Sequence, residues 1–326
     1  MRKIFILIIN FLFLINIFAS VFNLPIKDSY ITSSFGEYRN TGNNPHFHMG
    51  IDFSTFNREN IDVLTAAEGY LEKVWINDPV YGNTIFIKHP DLGLTTVYAH
   101  LNSFSKKITG FTEQINEEFS TKRIEIIFPE KELKINKGEV IAYSGSTGEA
   151  MAPHLHFEVW EMKENGNIIR DALEYIEYKE TREKNLELLS IRSNNKYFDI
   201  KKDEISTIEY SGDYPNLEIR VREKIGNNTT ILPKKMSLYI DNRIVYKLNF
   251  AQIKEEEAYN PSVFGYGSTA TVYWLKLYSK EALTPIEIDN WGQFIGKNLN
   301  NSVGKIELED FWGNKEIYNI RFNKLY

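Results

Sequence analysis

The chain has six histidines, and four of them stand in three short segments where polar and apolar residues alternate. In Phe47-His48-Met49-Gly50-Ile51-Asp52-Phe53 a period of two puts His48, Gly50 and Asp52 on one side of an extended chain, with Gly50 leaving room between the two heads. An imidazole and a carboxylate converging in this way suit a borderline cation such as zinc, with bonds of about 2.0–2.2 Å. In Pro153-His154-Leu155-His156-Phe157-Glu158-Val159-Trp160, Pro153 opens a strand at a position that need not donate a ladder hydrogen bond. Leu155, Phe157 and Val159 then face a core, and His154, His156 and Glu158 share the other face. Two imidazoles two residues apart project into one cleft, one as a ligand and one beside it. In Val97-Tyr98-Ala99-His100-Leu101 the same alternation points Val97, Ala99 and Leu101 inward and Tyr98 and His100 outward, so a third strand supplies another imidazole.

The elements that must position these groups read as mostly β. From Tyr30 onward, short apolar runs at residues 61–64, 84–88, 95–101 and 140–143 alternate with Gly, Asn, Asp and Pro punctuation. Helical periodicity is weak except around residues 172–186, where Leu173, Ile176 and Leu186 sit among charges and fit a helix or a linker. A boundary near Lys179 divides the chain into two units, as a length of 326 residues suggests at about 100–200 residues per domain. Beyond it, runs at 188–192, 205–210, 217–221, 236–240, 244–250, 271–277, 305–308 and 316–322 are spaced as in a β-sandwich of the immunoglobulin-like kind. This second unit has no histidine, and its aromatic stretches Tyr273-Trp274 and Phe311-Trp312 read as buried sandwich aromatics rather than a glycan site.

At the N-terminus, Arg2 and Lys3 precede an apolar run over residues 4–19, broken only by Asn10 and Asn16. Residues 1–20 read as a signal peptide for export, with Ala19 and Ser20 offering a weak cleavage site and an uncleaved membrane anchor as the alternative. No other stretch approaches membrane-spanning length. The absence of cysteine excludes disulfides, thiolate metal sites and cysteine nucleophiles. A net charge of −6, more negative still without Arg2 and Lys3, argues against nucleic acid as a partner.

At the histidine segments the chain resembles the lysostaphin and LytM type of zinc endopeptidase. That family's motifs His-x-x-x-Asp, Tyr-x-His-Leu and His-x-His appear in order at His48 to Asp52, Tyr98 to Leu101 and His154 to His156. Flanking features agree: Ser34-Phe35-Gly36, Tyr81-Gly82-Asn83, and Gly138-Glu139-Val140-Ile141 leading to Gly145-Ser146-Thr147-Gly148. The resemblance spans roughly residues 30 to 162, and three separated motifs must coincide to produce it.

The resemblance implies an antiparallel β-sheet peptidase domain over residues 21–178, whose groove holds one zinc ion per chain through His48, Asp52 and His156, with His100 and His154 as the two catalytic histidines. It implies hydrolysis of peptide bonds in peptidoglycan stem peptides or cross-bridges, in the periplasm or elsewhere in the cell envelope. Residues 179–326 are left as an accessory β-sandwich whose protein partner the sequence does not name. Three protein ligands leave zinc a fourth position for water, and either His154 or His100 can take a proton from that water while the other meets the developing oxyanion. A rival reading is a catalytically silent regulator that binds and activates another wall hydrolase; such relatives usually lack ligands, and here all are present. The absence of His-Glu-x-x-His sets the zincin class aside. His46, in an Asn- and Gly-rich loop, and His89, before the turn-forming Pro90-Asp91-Leu92-Gly93, are left out of the site. The segment 102–136, longer than related domains need there, is expected to form a hairpin or flap beside the groove.

Overall fold

A computed structural model of the protein describes residues 21–41, 43–110 and 122–325. The expected export segment, residues 1–20, lies outside the described residues. The fold is mainly β with antiparallel sheets, and its longest helical stretches among the described residues are single turns or little more. No helix among them is long and apolar enough to cross a membrane.

The first half is organised around one sheet with twelve strands among the described residues. Its main path runs Ile31–Ser33, Ile51–Ser54, His154–Glu161, Leu94–Phe104, Gly82–His89, Gly69–Asp78 and Lys134–Ile135. Central strands read as near-continuous apolar runs because both faces are covered: Leu155, Phe157 and Val159 are fully buried, as are Ile85 and Ile87. Register brings the motifs together, since His156 pairs with Asp52 on one side and with Ala99 on the other.

The segment 102–136 differs from the expected flap in its described residues. Ile124–Ile127 pairs antiparallel with Lys73 to Ile76, and Lys134–Ile135 pairs with Gly69 and Tyr70, so both extend the sheet edge. Ladder hydrogen bonds available along Gly69–Asp78 outweigh the alternative of a free hairpin. Residues 111–121, the remainder of that expectation, lie outside the described residues.

The second half contains a five-stranded and a six-stranded sheet among the described residues. All pairs are antiparallel except Ile205–Tyr210 with Lys315–Lys324, which run parallel. The two sheets meet where Leu188 N–H donates to the Tyr318 hydroxyl oxygen at 3.1 Å. Period two explains the buried face: Leu217, Ile219, Val221 and Ile225 point inward along Leu217–Ile225. Tyr273 and Trp274 are buried, as the sequence pattern suggests, whereas Phe311 and Trp312 are only partly buried. Residues 172–186 form a short 3-10 turn, Ala172–Glu174, and then a connection into the strand Lys184–Ser193.

The two halves are not separate in space. Gln252–Lys254 adds to the first sheet by pairing with Ile168–Arg170, and Phe47 N–H donates to the Ala258 carbonyl oxygen at 2.8 Å. A boundary drawn near Lys179 assigns residues 250–264 to the second unit, yet they pack on the first.

Candidate metal centre

His48 follows the short hairpin of Tyr38–Thr41 and Asn44–Phe47, and Asp52 lies in Ile51–Ser54. The chain between them crosses from one sheet to the other. Gly50 lies there under a steric demand: a Cβ at this position would meet His156 Cε1 and Nε2 at 2.8 Å and the Phe157 carbonyl oxygen at 2.6 Å. The room expected from Gly50 is therefore room for the His156 ring.

Hydrogen bonds fix each imidazole. His48 Nδ1–H donates to the Ser34 carbonyl oxygen at 2.8 Å, which leaves the Nε2 lone pair facing inward. His156 Nε2–H donates to Glu158 Oε1 at 2.7 Å, which leaves Nδ1 facing inward. Those two nitrogens stand 3.0 Å apart, and each lies 3.1 Å from Asp52 Oδ1. Three electron-rich atoms thus converge in a buried place, and ligand atoms of His48, Asp52 and His156 all lie within 4.8 Å of one another. Such a set is satisfied by a shared proton or by a cation, because facing lone pairs left bare inside a protein cost on the order of 1–3 kcal/mol each.

The electrostatics agree. Burial opposes a charge on His156, but hydrogen bonds to Asp52 and Glu158 outweigh it and push the imidazole up to about 9. Burial likewise opposes the Asp52 carboxylate, and the neighbouring His48 and His154 hold it well below the usual carboxylate range. The pocket is therefore built for positive charge. Two nitrogens and one carboxylate oxygen are the donor set of a borderline divalent ion, and these residues fit one.

Two further imidazoles adjoin the cluster. The His100 and His154 ring centroids are 4.7 Å apart, and that of His100 is 5.8 Å from His156. His100 Nδ1–H donates to the Thr147 carbonyl oxygen and His154 Nδ1–H to that of Ala152, both at 2.8 Å, so each presents its Nε2 lone pair. Burial, helped by His156 and His154 nearby, lowers His100 to about 3 and keeps it neutral. The His154 side chain, 21% exposed, lies 3.6 Å from Asp52 Oδ1 and is the opening of the cluster to solvent.

The third segment departs from simple alternation. Tyr98 pairs with Phe157 on the core side, where it is fully buried and accepts a hydrogen bond from Ala66 N–H at 2.8 Å. Tyr98 and His100 therefore do not share a face. Ala99 takes the site side opposite His156, and alternation alone would turn His100 to the core. A register shift and a left-handed backbone at His100, φ 60°, return its ring to the site. His100 N–H is held there by the Tyr81 carbonyl oxygen at 2.9 Å.

Residue spacing gave no signal for several supporting groups. The Tyr81 hydroxyl donates to Glu158 Oε1 at 2.9 Å, and Trp160 Nε1–H donates to Glu158 Oε2, so the carboxylate behind His156 is fully engaged. Glu37 accepts from Ser34 N–H at 2.6 Å and from Arg39 Nη1 at 2.7 Å, and Arg39 Nη2 lies 4.0 Å from Asp52 Oδ2. His46 and His89 stay outside. The His46 Nδ1 meets the Asn44 carbonyl oxygen, while buried His89 is held by the Glu68 carbonyl oxygen and Thr96 Oγ1.

Among proteins of known name, a DD-carboxypeptidase/endopeptidase, Mpg, from Neisseria meningitidis serogroup B is 31% identical over 140 residues, which cover 42% of this chain and 26% of Mpg. The matched part of the chain lies in its first half, where it is similar to peptidases of this kind. A second relative, an uncharacterized metalloprotease from Haemophilus influenzae, is 32% identical over 111 residues, 34% of this chain and 18% of that protein. The chain thus spans about a quarter or less of the length of these relatives. Among solved structures, the catalytic domain of lysostaphin from Staphylococcus simulans is similar at 22% identity and a TM-score of 0.32, covering 45% of this chain and 91% of that domain. No family model matches the chain.

Proposed function

We propose that this chain is an exported, zinc-dependent endopeptidase that hydrolyses peptide bonds in peptidoglycan stem peptides or cross-bridges. The observation that carries the reading is the convergence of His48 Nε2, His156 Nδ1 and Asp52 Oδ1 in a buried cluster, with the His100 and His154 imidazoles beside it. In this reading His48, Asp52 and His156 hold the ion, and His100 and His154 are the catalytic residues. The name of the Neisseria relative, a DD-carboxypeptidase/endopeptidase, supports the choice of substrate. Residues 21–178 carry the chemistry and 179–326 are accessory to it.

A zinc ion held there supplies Lewis acidity, polarising a carbonyl and lowering the pKa of water towards about 7. The chain's own residues supply the proton handling. With Nδ1 of both His100 and His154 tied to carbonyl oxygens, each offers Nε2 as an acceptor. The imidazole that accepts a proton from the attacking water becomes a donor, and returns that proton to the leaving amine. Glu158 and Tyr81 keep the His156 ring oriented.

The test is incubation of purified residues 21–326, loaded with zinc, with cell-wall sacculi of different bridge chemistry, followed by mass spectrometry of released fragments. New amine termini at one class of peptide bond are expected, and their loss with a chelator. A zinc-loaded protein that releases nothing but stimulates a second hydrolase would favour the silent regulator instead.

A further inference from the structure

The turn that carries Ser34, Glu37 and Arg39 stands behind the metal centre and is itself held by the second half of the chain. Ser34 links the two: its carbonyl oxygen fixes His48, and its hydroxyl oxygen accepts from Leu232 N–H at 3.2 Å. Gly36, at φ 78°, packs so closely on Phe250 that a Cβ would meet its Cδ1 at 2.6 Å. Phe264 lies against Tyr38 and Phe47, with ring centroids 5.4 and 5.8 Å apart, and Tyr273 packs against Phe264 at 6.1 Å. The buried Tyr273 hydroxyl donates to the Ala270 carbonyl oxygen at 2.8 Å, which fixes the ring against Phe264.

We propose that Arg39 is a positioning residue for Asp52, and that the second half of the chain, through Phe264 backed by Tyr273, holds the hairpin that carries Arg39 in place and so sets metal affinity. The inference rests on the reading that the cluster binds a divalent ion. Arg39 faces Asp52 Oδ2, while Oδ1 is the oxygen turned to His48 and His156. Its guanidinium, 4.0 Å away, acts on Oδ2 as a close opposite charge rather than through a hydrogen bond, and occupies the side of the carboxylate turned away from the ion. Glu37, 1% exposed, neutralises Arg39 and fixes the fork, which leaves the cluster less positive than a lone arginine would make it. Orientation and charge act in opposite directions here: pinning Asp52 favours the ion, and a cation beside it opposes the ion. The bound pair with Glu37 makes orientation the larger effect.

The experiment uses the metal-stripped full chain and zinc alone as probe, with affinity read by competition against a chromophoric chelator. Arg39→Gln and Arg39→Lys are both expected to weaken zinc binding about 10–100-fold, because lysine keeps the charge but loses the fork. Phe264→Leu should weaken it less, about 2–10-fold, and Tyr273→Phe, which loses the hydrogen bond to the Ala270 carbonyl that fixes the ring behind Phe264, should act in the same direction. Tyr266→Phe, at a site 90% exposed, should change nothing. Visible bands of the cobalt-substituted protein should shift in the Arg39 variants, a change that a loss of general stability does not produce, and melting curves establish that each variant is folded. Arg39→Gln binding zinc as tightly as wild type or more tightly would overturn the role of Arg39. Folded Tyr273→Phe and Phe264→Leu with unaltered affinity would overturn the role of the second half. A wild-type chain that takes up no zinc would overturn both this inference and the proposed function, whereas equal binding by wild type and variants leaves the latter standing.

Discussion

Both halves of the molecule bury carboxylates, and one in the second half, Glu223, is treated in the opposite way to those around the site in the first. In the first half Glu37, Asp52 and Glu158 are buried: Glu37 accepts from Ser34 and Arg39, Glu158 accepts from His156, Tyr81 and Trp160, and Asp52 Oδ1 faces the inward ring nitrogens of His48 and His156. In the second half Glu223 is buried on the inward face of Leu217–Ile225, and neither of its oxygens has a hydrogen-bond partner among the described residues. Burying a charge is costly unless it is paired. Where partners converge, the carboxylate stays charged and becomes part of a place for a cation. Where they are absent, the group keeps its proton and is only a burden on stability.

The contrast is broken most severely by removing a ligand. His48→Ala or His156→Ala should abolish stoichiometric zinc in the purified protein and lower hydrolysis by several kcal/mol of transition-state stabilisation, about 10³-fold or more. Metal content by atomic spectroscopy and release of wall peptides check this together, and either variant with full zinc and normal turnover sinks the ligand assignment. A smaller effect is expected one step outward. His154→Ala or His100→Ala should retain zinc and lose about 10²–10⁴-fold in turnover. A zinc-replete His154→Ala enzyme at wild-type rate removes that residue from the mechanism.

How much of this was legible in the sequence depends on how local the cause is. Alternation in Pro153 to Trp160 placed His154, His156 and Glu158 on one face, and the strand His154–Glu161 is where it was expected. Strands of the second half, such as Ile205–Tyr210 and Lys315–Lys324, also follow from their own residues, because period two is written into each segment. Tyr98 and His100 were misplaced on a common face because the correction is a backbone event: the left-handed φ of His100 answers to Tyr81 and Thr147, far away in sequence. The packing of residues 250–264 on the first half was equally hidden. Gln252 to Lys254 pair with Ile168 to Arg170, and nothing in either segment names the other. Arg39 carries no spacing signal for the same reason, since its partners Glu37 and Asp52 meet it only after the hairpin has formed.

The smallest expected effect concerns Glu223 and is one of pH. Burial, reinforced by the Asp310 charge, raises its carboxyl from 4.5 to about 9. Below about pH 4.5 it is protonated in both folded and unfolded chains and costs nothing extra. Between 4.5 and 9 the unfolded chain releases the proton while the folded chain retains it, so the unfolded state gains and stability falls as pH rises. Above 9 both states are ionised and the loss is complete. Glu223→Gln, which cannot ionise, should therefore melt near wild type at pH 4.5 and be more stable by about 1–3 kcal/mol or more at pH 8, because only in the wild type does the unfolded chain gain by releasing a proton that the folded chain retains. Thermal melts of both proteins across that range measure the difference, and a gap that stays constant with pH would show that Glu223 finds a counter-charge when it ionises, erasing the distinction between the two halves.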